Sequence, residues 1–132
     1  MRADHPIDRL VATVQGTPPD SLRALATQLP GRRRWILGPP EFVGGSSFVL
    51  SIHTARPPWD EALDAATDRA HLDEVKDLLG ELCRISAEHG TEFAVDFAGE
   101  MIGTVEDGQM DTSLEVGLLA EWQRVLDDRR VV

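Results

Sequence analysis

No apolar run in the chain approaches the roughly 20 residues needed to cross a bilayer. Its start, Met1-Arg2-Ala3-Asp4-His5-Pro6, also lacks the apolar stretch of a secretory signal. A cytoplasmic location is the expectation that follows. The single cysteine, Cys83, has no intramolecular partner for a disulfide, which excludes a stapled secreted scaffold and fits a reducing compartment. Lysine is nearly absent too: twelve of the 13 basic residues are arginine and only Lys76 is lysine. That bias, with abundant alanine, points to a bacterial source with a GC-rich genome.

Motifs that carry chemistry are also missing. G-x-S-x-G does not occur, and Ser46 and Ser47 after Gly44-Gly45 lead into a β-branched run rather than a helix. Neither a nucleophile elbow nor a phosphate-cradling loop is therefore expected. Glu106-Asp107-Gly108-Gln109-Met110-Asp111 lacks the carboxylate spacing and closing glutamate of an EF-hand, and reads instead as a turn before a helix. His71 and Glu74 stand three apart, but zinc needs three or four convergent ligands; His5, His53 and His89 lie in unrelated segments. Cys83 falls in the interior of a helical pattern, away from the helix N-terminus or histidine that would activate a thiolate. No metal, no cofactor and no catalytic residue is expected.

What is present is an ordinary globular composition. The 132 residues are 42% hydrophobic and 27% charged, enough apolar material for one core and too short a chain to divide well, so 1–132 is read as a single domain. Arg9-Leu10-Val11-Ala12-Thr13-Val14 reads as a strand. Leu22, Leu25, Ala26 and Leu29 make a short helix closed by Pro30-Gly31, and Arg34 to Leu37 and Ser47 to Thr54 follow as two strands. Arg56 to Thr67 suits a short helix or an ordered loop. From His71 to His89 the stripe Leu72, Val75, Leu78, Leu79, Leu82, Ile85 predicts an amphipathic helix stopped at Gly90. Glu92 to Phe97 and Met101 to Val105 form a hairpin. The last helix starts at a T-x-x-E capping box, Thr112 to Glu115, and runs to about Asp127.

The order is β-α-β-β-α-β-β-α, an α+β fold with an antiparallel sheet and helices packed on one face. Its first six elements match the ferredoxin-like order, with an extra C-terminal strand and helix.

The net charge of −10 is unevenly placed. Residues 1–56 carry seven arginines against four acids, whereas residues 57–132 carry six basic residues against nineteen acids. The one basic cluster, Arg32-Arg33-Arg34 beside Trp35, would approach a polyanion with the whole chain's negative excess behind it. No nucleic acid and no membrane partner is therefore expected, and these arginines should pair with the acidic half or mark a contact edge. The acidic half keeps a domain soluble in any case. The sharper reading is a field, made by Asp60, Glu61, Asp64, Asp68, Asp73, Glu74, Asp77 and Glu81 with Trp59 as an aromatic anchor, that binds a basic protein. An immunity or antitoxin-type inhibitor of a basic bacterial toxin is the specific form of that protein-binding function. The alternatives are a small enzyme or ligand-binding domain using His53, Asp96 and Glu100, and a structural homo-oligomeric subunit.

Overall fold

A computed structural model describes residues 7–53 and 65–131. Six strands form one antiparallel sheet: β1 (Ile7–Gln15), β2 (Glu41–Val43), β3 (Ser47–His53), β4 (Glu92–Phe97), β5 (Glu100–Glu106) and β6 (Gln109–Met110), in the order β2-β3-β1-β4-β5-β6. The helices are α1 (Ser21–Arg32), α2 (Ala65–His89) and, after a π-helical stretch Ser113–Ala120, α3 (Glu121–Val131). The α+β class and the antiparallel sheet are as the sequence predicts. The likeness to the ferredoxin-like arrangement rests on element order.

Period-two alternation decides which face of the sheet is covered. Leu10, Ala12 and Val14 of β1, Phe48, Leu50 and Ile52 of β3, and Phe93 and Val95 of β4 are buried, and the ladders put them side by side. Against them α2 lays Leu72, Val75, Leu78, Leu79, Leu82 and Ile85, all fully buried, and α1 adds Leu22, Leu25 and Leu29 to the same cluster. Truncating one such leucine to alanine costs about 2–5 kcal/mol. The alternate residues, Val11, Thr13, Ser47, Val49, Ser51 and Ala94, lie on the other face and are only partly buried.

Four local expectations are corrected. Arg34 to Leu37 is not a strand; the second strand is Glu41–Val43, within the Pro/Gly segment. The reason is that residues 34–37 find partners outside any ladder: the Trp35 indole N–H donates to the Leu29 carbonyl at 2.8 Å, and the Ile36 N–H donates to Glu74 Oε2 at 2.7 Å. The β2–β3 connection then turns at Gly44 and Gly45, whose φ of 64° and 73° only glycine adopts freely.

Helix α1 runs through Pro30 to Arg32, at the loss of the N–H bond that position 30 would donate to the Ala26 carbonyl. Helix α2 begins at Ala65, ahead of its apolar stripe, while most of the 56–67 segment lies outside the described residues. Finally, the last helix is capped by Asp111 rather than Thr112. Asp111 Oδ1 accepts the Leu114 N–H at 3.0 Å, while its Oδ2 accepts the Thr104 N–H at 3.0 Å and the Thr104 hydroxyl at 3.3 Å. This clamp needs Gly103: a Cβ there would sit 2.5 Å from Asp111 Oδ1 and 2.7 Å from Leu114 Cγ.

Candidate functional site

The acidic helix predicted to face a partner is largely spent inside the molecule. Two of its residues are corrected outright as surface groups: Asp68 is 5% exposed and Glu74 is fully buried. Helical spacing puts both on or beside the apolar stripe, Asp68 one turn before Leu72 and Glu74 one turn before Leu78. Asp68 Oδ1 accepts the Trp122 indole N–H at 2.8 Å, tying α2 to α3.

Glu74 is the centre of a polar relay through the core. Its Oε2 holds the Ile36 N–H, and its Oε1 lies 3.3 Å from His71 Nδ1. His71 Nε2 in turn accepts the His53 backbone N–H at 3.2 Å. That last bond places the imidazole proton on Nδ1, where it is donated to Glu74. Both ring nitrogens are thereby committed, and His71 has no lone pair to offer a metal or a substrate.

Asp77 and Glu81 lie at the surface but are matched by the basic cluster. Arg32 bonds Asp77 at 2.8 Å and Glu81 at 2.8 Å, Arg33 lies 3.7 Å from Asp77, and Arg84 reaches Glu81 at 2.8 Å. The expectation that the arginines pair with the acidic half holds for Arg32 and Arg33. Arg33 also donates to the Asp73 carbonyl and stacks over Trp35 at 5.4 Å. Of the described α2 acids proposed for binding, Asp73 alone is exposed. Trp59, Asp60, Glu61 and Asp64 lie outside the described residues.

Among the described residues no group of three or more His, Cys, Asp or Glu is placed to hold a metal, and no helix is long and apolar enough to cross a membrane. Burial pushes the Cys83 thiol pKa up, disfavouring the thiolate. His53 and Asp96 do not converge. Ile7 pairs with His53 and Val11 with Asp96, so they stand about 13 Å apart along the strands as well as two strands across. Glu100 lies at the β4–β5 turn near Asp96, not near His53.

No family model, curated protein or solved structure gives a significant match to this chain.

Unmatched negative charge collects elsewhere, where β4 begins and β5 ends. Glu92 and Glu106 face each other just beyond the ladder pair Phe93–Val105, and Asp107 follows in the turn with φ 53°. Among the described residues no cation pairs with any of the three. The Glu106 carboxyl is raised above the ordinary glutamate range, first by its hydrogen bond with Glu92, then by the negative charge of Glu92 and of Asp107. Beside them is an open depression of about 330 Å³ lined by Thr104, Glu106, Asp107, Gln109, Met110 and Asp111.

Sequence reasoning missed this cluster because of one irregularity. A two-residue turn at Ala98-Gly99 with regular pairing would set Glu92 against Val105. The bulge between Val95 and Asp96 shifts the register by one and brings Glu92 opposite Glu106.

Proposed function

We propose that the chain is a protein-binding module for a basic partner, and that the contact lies at the Glu92–Glu106–Asp107 end of the sheet rather than on α2. The observation that carries this is the like-charge pair itself. Carboxylates directly opposite on adjacent strands oppose folding, and the chain keeps them with no cation among the described residues while matching Asp77 and Glu81 of α2 with Arg32, Arg33 and Arg84.

A cationic surface docking there would relieve the repulsion, and the −13 balance of residues 57–132 would steer its approach. An immunity or antitoxin-type role is the specific form of this reading. A toxin that acts on nucleic acid needs a basic site, and a carboxylate cluster on a rigid strand end is suited to occupy it in place of phosphate.

The test uses immobilised full-length chain and a Glu92→Gln/Glu106→Gln/Asp107→Asn variant in lysate of the native cell. A basic protein retained by the wild type at low ionic strength, released by salt and lost to the variant supports the reading. Equal retention by both chains sinks the location, and no retained protein at low salt sinks the function. If the captured protein cleaves or modifies nucleic acid, its inhibition by the wild type and not by the variant tests the finer role.

A further inference from the structure

The second face of the sheet carries Glu92 and Glu106 at one margin and, away from them, a chemistry of its own. Alternation and register put Val43, Ser47, Thr13 and Ala94 in one row across it, and Glu41, Val49, Val11, Asp96 and Met101 in the next. Among the described residues no helix lies over these rows. Among the described residues six large hydrophobic side chains are exposed, and three of them belong here: Ile7 at 52%, Val43 at 49% and Met101 at 63%. Small and β-branched residues fill the middle, with the Thr13 and Ser47 hydroxyls bonded to each other at 2.9 Å, so the centre is flat and makes little demand for water. The carboxylates Glu41, Glu92 and Glu106 lie toward the margins, while Arg9 on β1 and Asp96 on β4 put one charge of each sign on the two middle strands.

We infer that this face is the contact between two copies of the chain, stacked sheet to sheet. Two arguments favour a second copy. The first is area: strands about 4.8 Å apart, rising about 3.3 Å per residue, give β3, β1, β4 and β5 with the short β2 a projected face of about 500 Å². Side-chain relief makes the accessible area larger than its projection, so a stacked pair buries on the order of 1,200 Å², the lower end for a stable specific interface.

The second argument is charge. The sheet's midline falls between β1 and β4. A two-fold axis along the strands at that midline sets β1 of one copy over β4 of the other. Arg9, the one basic residue among the strand positions of this face, lies a single row from the level of Asp96, which pairs with the neighbouring Val11. Each Arg9 then comes within side-chain reach of the other copy's Asp96, and the isologous contact is self-complementary. The Asp107 turn and β6 stay at the periphery of such a pair. This inference does not rest on the basic-partner reading, and its test uses this chain alone.

The experiment is sedimentation equilibrium of the full-length chain at micromolar concentration, with circular dichroism as a fold control. The expected mass is twice the 14.5 kDa of the chain. Val49→Arg, in the middle of the face, should give a monomer with an unchanged spectrum, while Val125→Arg on α3, also exposed, should leave the dimer intact. Arg9→Asp should weaken association at least tenfold, and Arg9→Asp with Asp96→Arg should restore it. The swap keeps the test decisive if Val49→Arg does not fold. A wild-type monomer overturns the inference, whether its face is open or covered by another segment of the chain. So does a dimer that survives both Val49→Arg and Arg9→Asp.

Discussion

Glu74 Oε2 accepts the backbone N–H of Ile36 at 2.7 Å across 38 positions of sequence, joining the middle of α2 to the irregular segment that follows α1. Through its other oxygen, Glu74 also accepts a hydrogen bond from His71 Nδ1–H, and His71 Nε2 accepts one from the His53 N–H. One buried carboxylate thus supports a helix, a loop and the end of a central strand.

Glu74→Ala leaves the buried His71 and part-buried Ile36 donors without an acceptor and should destabilise the fold by about 3–5 kcal/mol, the range for breaking a buried charged network from one side. Urea unfolding measures it. Glu74→Gln keeps one acceptor oxygen and should lose less. If Glu74→Ala costs under about 1 kcal/mol, the relay is not a structural tie.

Trp122→Phe keeps most of the ring in place against the core but removes the indole N–H that Asp68 accepts. A loss of about 1–3 kcal/mol is expected, since the acceptor is a carboxylate. Asp68→Asn retains an acceptor and should lose less in the same denaturation experiment. If Asp68→Ala, which removes the acceptor, costs nothing, the loss in Trp122→Phe belongs to packing instead.

Gly103→Ala drives a methyl group into Asp111 Oδ1 and Leu114 Cγ. Relief requires the cap to move, at a cost of about 1–3 kcal/mol. Amide exchange should show the change as faster opening at Leu114 and Thr104, whose N–H groups Asp111 holds, ahead of any change in β1. Uniform acceleration across the sheet would contradict a local clamp.

Glu106 binds its proton more tightly folded than unfolded, first because of its hydrogen bond with Glu92 and then because Glu92 and Asp107 oppose its charge. A raised folded-state pKa favours folding at low pH, and that contribution disappears as pH rises through the raised value. Glu106→Gln, which carries no charge at any pH, should therefore gain stability relative to the wild type as pH climbs above the ordinary glutamate value near about 4.3. Melting temperatures of both chains across this range give the comparison. A constant difference between them would show that Glu106 does not sense its neighbours.

The pattern of residues was enough to place β4, β5 and the stripe of α2, and to show that one sheet face is covered. Period-two and helical spacing are local properties, written every few residues. Phe93, Val95 and Phe97 alternate with Glu92, Ala94 and Asp96 whatever the rest of the chain does. In β1 and β3 apolar and β-branched content marked the strands, and the structure showed which alternate residues are packed.

Only the tertiary structure decided what became of the charges. Asp68 and Glu74 look like solvated helix acids because nothing near them in sequence reveals that Trp122 and Ile36 will arrive from 54 and 38 positions away. Arg32 neutralises Asp77 and Glu81 because α1 continues through Pro30, which a proline in sequence argues against. Glu92 meets Glu106 because one bulge shifts a ladder, and a shift of one residue reverses which side chains share a face. Burial and alternation follow from neighbours in sequence, whereas charge pairing and register depend on neighbours in space.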